Sequence, residues 1–138
     1  MWKYYALLSA LFASITAILA KIGVKGVDSN LATAIRTTVI LFLVWFIFFF
    51  TGHTRQLTTL SKTNILFLTL SGIATGLSWL FYFKALQLGN VSQVALVDKF
   101  SVVLTILFAA IFLNETLNLK VALGATLILS GTLLLLSK

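Results

Sequence analysis

The chain of 138 residues is 60% hydrophobic and only 9% charged, and its formal net charge is +7. A soluble globular domain carries about 25% charged residues because its surface must be hydrated, so an ordinary soluble domain is excluded and a lipid-facing surface is predicted. The Lys and Arg residues are spread singly between apolar blocks, which is typical of membrane boundaries and excludes the basic patch that nucleic-acid binding needs.

Five segments are long and apolar enough to cross a bilayer, because a helix needs about 20 apolar residues to span a hydrocarbon core of about 30 Å. The segments are predicted at about residues 4–23, 31–50, 64–86, 93–113 and 119–137. Asp28, Ser29 and Asn30 offer side-chain oxygens to cap the second helix, and Gly89 with Asn90 suits a tight turn before the fourth. The chain has no proline, so any kink must come from Gly, Ser or Thr. We expect an all-α integral membrane protein with a single transmembrane domain.

The first apolar segment follows Lys3 and ends near Ala20, which also suits a cleaved signal peptide. Its apolar run is long for such a peptide, and four more apolar segments follow it. We therefore expect this helix to be retained.

Small residues mark the faces on which membrane helices contact one another, because the hydrophobic effect does not drive helices together in lipid. The first helix has alanines at spacings of three and four, and the third has a GxxxG pair at Gly72 and Gly76. In the fifth, Gly124 and Gly131 lie two turns apart on one stripe. These residues either pack helices within one subunit, which we favour for the alanines, or form a contact between two subunits.

Residues 84–136 carry the most specific pattern in the chain. Its parts are Ala85-Leu86 before a glycine turn, Ser92 and Val94-Ala95 before a long apolar helix, a Leu-x-Glu-x-Leu hairpin at 113–117, and Gly-Ala-x-Leu-Ile-x-x-Gly at 124–131. This pattern resembles the C-terminal part of an EamA domain of the drug/metabolite transporter superfamily. Lys21, Arg36 and the glycine-rich third helix match more loosely, so the resemblance covers nearly the whole chain.

The resemblance implies a half-size unit, since full-length members of the family carry two five-helix domains in inverted orientation. Asp98 and Lys99, followed by Ser101, resemble an Asp-Lys pair followed by Ser in the half-size, five-helix bacterial and archaeal members of the family. We expect a multi-pass protein of the cell (inner or plasma) membrane that moves a small polar metabolite, anionic or amino-acid-like, by alternating access. We further expect a homodimer that meets at Gly124 and Gly131, with no cofactor and no metal. The alternative is an accessory or assembly subunit that transports nothing.

The four-helix small multidrug resistance proteins are distant cousins of this family. They depend on an acidic residue in the first helix for proton-coupled export of cations. The first helix of this chain has no Asp or Glu, which argues against an exporter of that design.

Charged residues inside the hydrocarbon are costly and by default suggest function. The candidates, all predicted to lie in one leaflet, are Arg36, Lys84, Asp98 and Lys99. Asp98 is the only carboxylate within the predicted helices, and Arg36 or Lys84 could neutralise it. One interpretation is a structural ion pair with lysines that reach the headgroups. The other is a substrate path, in which surplus positive charge favours an anionic group and Trp79 and Tyr82 form an aromatic wall.

An enzyme is not supported by the polar residues outside the predicted helices. His53 lacks the Ser, Cys or second His that a catalytic triad or a metal site would need nearby. Glu115 falls in the hairpin before the fifth helix, where we interpret it as a cap or loop-ordering residue.

Lys and Arg residues near helix ends set the orientation of a membrane protein. One side of the predicted bundle carries Lys3, Arg55, Lys62 and Lys120, and the other carries Lys21, Lys25, Lys84 and Lys138. The tally is four against four, or four against three if Lys84 counts as buried, so the orientation is only weakly determined. The same sequence could therefore insert both ways and pair antiparallel. The alternative is an N-terminus-inside preference, with a parallel dimer or an inverted partner encoded elsewhere.

Overall fold

The computed structural model describes residues 1–52, 57 and 59–136. Over these residues the regular elements are α1 (Trp2–Gly23), α2 (Ser29–Phe50), α3 (Lys62–Leu88), α4 (Val91–Asp98), α5 (Phe100–Phe112) and α6 (Leu119–Leu136). Helices α4 and α5 together form one apolar stretch of 22 residues, so that five segments are long and apolar enough to cross a membrane. The predicted all-α membrane class is confirmed.

The fourth spanning segment is interrupted at Lys99, where a single helix was predicted. The Lys99 N–H donates to the Leu96 carbonyl at 3.1 Å, and the Val102 N–H donates to the Lys99 carbonyl at 3.0 Å. Both bonds reach back three residues, as in the tighter 3₁₀ turn that often marks a hinge within a helix. The Ser101 hydroxyl donates to the Asp98 carbonyl at 2.6 Å. A serine thus stands at the interruption in a chain that has no proline.

Residues 1–88 form the first of two compact units, in which α3 contacts both α1 and α2. Its buried apolar side chains are Ala17, Val24, Phe83 and Leu86. Most other apolar side chains of these helices are exposed, as expected where lipid rather than water covers the surface.

Two hydrogen bonds tie the last turn of α1 and the connection after it to the end of α3. The Lys21 ammonium donates to the Leu86 carbonyl, and the Gln87 side-chain amide donates to the Val27 carbonyl at 2.6 Å. Leu86 lies in the last turn of α3, where carbonyls lack partners within the helix and a cation is stabilising. These bonds hold the start of α2 beside the end of α3.

Asp28 caps the N-terminus of α2, as the sequence predicts. Its carboxylate accepts hydrogen bonds from the backbone N–H groups of Asn30 at 2.9 Å and Leu31 at 3.2 Å. Ser29 and Asn30, the other two cap candidates, lie inside the helix. The cap sets where α2 begins and therefore how far Arg36 lies from the end of its helix.

The second compact unit, Gly89–Lys138, is built around α6, which contacts both α4 and α5. Thr132 is buried between helices, and its hydroxyl donates to the Ile128 carbonyl at 2.9 Å and lies 3.5 Å from the Leu96 carbonyl of α4. The Asn118 side chain caps α6 by accepting a backbone N–H from its first turn at 2.9 Å.

Candidate substrate site

Arg36 is the only charged residue of α2 and lies two turns into that helix. At a rise of about 1.5 Å per residue it stands about 10 Å from the start at Ser29. Its side chain is half-buried. Asp28 is the nearest acidic residue along the chain, and its carboxylate is the cap of α2.

The Arg36 guanidinium packs on two aromatic rings of α3. Its Cζ lies 4.3 Å from the centroid of the Trp79 ring and 5.4 Å from that of the Phe83 ring. Trp79 and Phe83 are four residues apart and therefore share a face of α3. Such cation–π contacts hold a cation in place without a carboxylate, and the planar fork of N–H donors of a stacked guanidinium still suits a bidentate anion.

A cavity of about 380 Å³ adjoins Arg36 among α1, α2 and α3. Small-molecule sites typically measure about 300 to 1,000 Å³, so this volume suits a small metabolite. The cavity is lined by Thr16, Leu19, Ala20, Gly23, Val27, Ala32, Ile35, Arg36 and Phe83. Most of these side chains are apolar, and Arg36 brings the charge. The cavity can thus hold an anionic group at the guanidinium and an apolar body along the walls.

The structure brings three of the predicted path residues of the first unit together. Trp79 lies against Arg36, and the half-buried Tyr82 is close enough to Arg36 for an electrostatic interaction. Lys84 is exposed. Phe83 was not predicted, although its position four residues after Trp79 is the signal that would have found it.

Asp98 and Lys99 lie at the junction of α4 and α5 in the second unit, and both are exposed. Arg36 belongs to the first unit, so the predicted pairing of Arg36 with Asp98 stays a prediction. Glu115 lies in the hairpin before α6, as predicted. His53 and Arg55 lie outside the described residues.

The four glycines predicted to mark helix contacts have open surroundings. Apart from its chain neighbours and the surrounding backbone of its own helix, no atom of the described residues of its unit lies within 4 Å of a Cβ built on any of Gly72, Gly76, Gly124 and Gly131. Close backbone packing inside either unit therefore does not require them. A contact between subunits at these positions stays a prediction.

Comparison with known proteins agrees with the resemblance read from the residues. Residues 1–137 match the EamA-like transporter family. A protein of Sinorhizobium sp. named as an uncharacterized transporter in the cobO 3' region is 48% identical over 134 residues, which are 97% of this chain and 95% of that protein. No solved structure matches the chain. With five apolar helices and this match over nearly its whole length, the chain belongs to the EamA-like transporter family and is a multi-pass membrane transporter.

Proposed function

We propose that the chain transports a small polar metabolite, anionic or amino-acid-like, and that Arg36 binds the anionic group of this substrate. The observation that carries the proposal is the half-buried Arg36 guanidinium, stacked on Trp79 and Phe83 beside a cavity of about 380 Å³. A cation within a membrane span is costly and is kept where it has a partner or a function. The three helices of the first unit contain no Asp or Glu, which favours a ligand as the anionic partner.

The second step of the proposal places Asp98, Lys99 and Lys84 along the substrate path. A turn of tighter 3₁₀ geometry within a helix often marks a functional hinge. Such a turn stands at Lys99, directly after Asp98, within the fourth spanning segment. This coincidence of two charged residues with a local change of helix geometry supports the assignment.

Alternating access in such folds uses two inverted five-helix domains around one site. This chain supplies one five-helix domain. It covers 95% of its Sinorhizobium relative, which is therefore of similar size. We propose that two copies pair in the cell (inner or plasma) membrane, with the open Gly124 and Gly131 stripe of α6 at their contact. The equal Lys and Arg counts on the two sides support an antiparallel pair.

Purified chain reconstituted alone in liposomes tests the proposed function. Vesicles loaded with unlabelled small carboxylates and amino acids are expected to accumulate the corresponding radiolabelled compounds by counterflow, above the level of protein-free liposomes. Flux that appears only after a second membrane protein is added would assign the chain to the accessory-subunit alternative.

Labelling from the two sides of the membrane tests the antiparallel pair. The chain has no cysteine, so Asn90→Cys and Thr116→Cys each introduce a single thiol, at exposed positions before and after the fourth spanning segment, without changing the Lys and Arg count of either side. With dual insertion, a membrane-impermeant maleimide is expected to label about half of each variant from outside intact cells. Full labelling of one variant and none of the other would contradict the antiparallel homodimer.

A further inference from the structure

We infer that the cavity beside Arg36 selects amphipathic monocarboxylates: one carboxylate on a compact apolar body, with no ammonium group. This inference rests on the proposed function, because it names the substrate class of the same site. It follows from three features of the cavity, which are its single charge, its apolar walls and the absence of acidic residues from its described lining.

The charge of the cavity selects the head group of the ligand. Arg36 is the only charged residue that lines the cavity within the described part of the chain. A guanidinium presents two parallel N–H donors that match the two oxygens of a carboxylate. A second carboxylate on the same ligand would be buried without a cation, so dicarboxylates are disfavoured.

The walls of the cavity select the body of the ligand. Leu19 and Ala20 of α1, Ile35 of α2 and Phe83 of α3 present apolar surface on three sides. Burial of apolar surface is favourable in proportion to its area, so each buried methylene group of a ligand is expected to tighten binding by about fourfold. A hydrophilic body, such as a sugar acid, would lose its hydration against these mostly apolar walls, where Thr16 is the only neutral polar side chain among the described lining residues.

The missing acidic residues exclude the ammonium group of an amino acid. None of the described lining residues is Asp or Glu. An ammonium group in this cavity would lose its water without a carboxylate partner and would lie near the positive charge of Arg36. Of the two substrate classes in the proposed function, the anionic class is therefore favoured over the amino acids.

Binding to the full chain in phosphatidylcholine nanodiscs tests the inference with four ligands that share one phenyl body. We expect radiolabelled 3-phenylpropionate to bind at least about tenfold more tightly than phenylalanine, 2-phenylethylamine or 3-phenylpropan-1-ol in equilibrium dialysis, because each of the others adds an ammonium or lacks the carboxylate. Equal affinity for phenylalanine and 3-phenylpropionate would overturn the inference.

Two variants locate the binding site. Ala20→Leu narrows the cavity and is expected to weaken 3-phenylpropionate binding about fivefold or more, since overfilled apolar sites exclude their ligands. Ala10→Leu makes the same change at an exposed position of α1 outside the cavity and is expected to leave affinity unchanged. Equal affinity in both variants and the parent chain would place the ligand elsewhere and overturn the inference.

A phospholipid could supply the same chemistry, with its phosphate at Arg36 and an acyl chain along the walls. At about 1 M salt, which screens the surface charge of an anionic bilayer, replacing phosphatidylcholine with phosphatidylglycerol in the nanodiscs is expected to change 3-phenylpropionate affinity less than about twofold. Loss of binding in phosphatidylglycerol would assign the cavity to lipid and overturn the inference. These experiments measure binding and not transport. If the ligands bind in the expected order but no flux is seen in liposomes, only the proposed function is contradicted. If flux is seen but the ligands do not bind in that order, only this inference is contradicted.

Discussion

Replacing Arg36 with glutamine is expected to lower carboxylate counterflow in liposomes by about 100-fold while the chain stays folded in detergent. Hydrogen bonds to a charged group contribute about 1.5–3 kcal/mol, and the upper part of this range corresponds to a loss of this order. Folding is expected to survive because the helices of the first unit contain no carboxylate that the substitution would leave unpaired. Size-exclusion chromatography and thermal unfolding in detergent report the folding.

Two further substitutions separate charge from geometry at this position. Arg36→Lys keeps the charge but loses the planar fork and the stacking on Trp79 and Phe83, so about a tenfold loss of counterflow is expected. Lys120→Arg makes the reverse exchange at an exposed cation at the start of α6, keeps the Lys and Arg count of its side and is expected to leave counterflow unchanged. Parent-like counterflow by Arg36→Gln would place the substrate elsewhere, and an unfolded Arg36→Gln chain would favour a structural role.

Asp98→Asn is expected to lower counterflow by about tenfold or more and to leave the chain folded. Asp98 is the only acidic residue in the six helices, and it stands at the interruption between α4 and α5. A charged carboxylate within a span is costly, and a residue kept there at that cost is expected to serve transport. Asparagine keeps the shape of the side chain and removes its charge, so counterflow measures the charge alone.

Glu115→Gln is the matched control for Asp98→Asn, because it makes the same acid-to-amide change in the exposed hairpin before α6. Its counterflow is expected to differ from the parent chain by less than about twofold. If Asp98→Asn unfolds the chain, a structural ion pair explains the carboxylate, since loss of one partner strands the other charge in a low dielectric. Normal counterflow by both Asp98→Asn and Arg36→Gln would show that neither charge is needed for transport.

Several local features could be predicted from the residues because their causes are local. The Asp28 carboxylate accepts hydrogen bonds from backbone N–H groups two and three residues later, in the first turn of α2. Partners so close in the sequence can be predicted without the tertiary structure. The interruption at Lys99 was missed because neither glycine nor proline marks it. The hydrogen bonds that join Lys99 to Leu96 and Val102 are of the 3₁₀ type, and the sequence alone does not distinguish this geometry from that of the α-helix.

The sequence by itself determined the membrane class, the five spans and the family, because the length of an apolar run and the thickness of a bilayer are directly comparable. It also indicated Arg36 and Trp79 as candidates, since charged and aromatic residues stand out in apolar helices. Only the tertiary structure decided that Arg36 stacks on Trp79 and Phe83 beside a cavity, and that Gly72 and Gly131 have open surroundings. The physical reason is that these helices are apolar on nearly every side. Hydrophobic periodicity therefore does not tell which face meets another helix and which meets lipid.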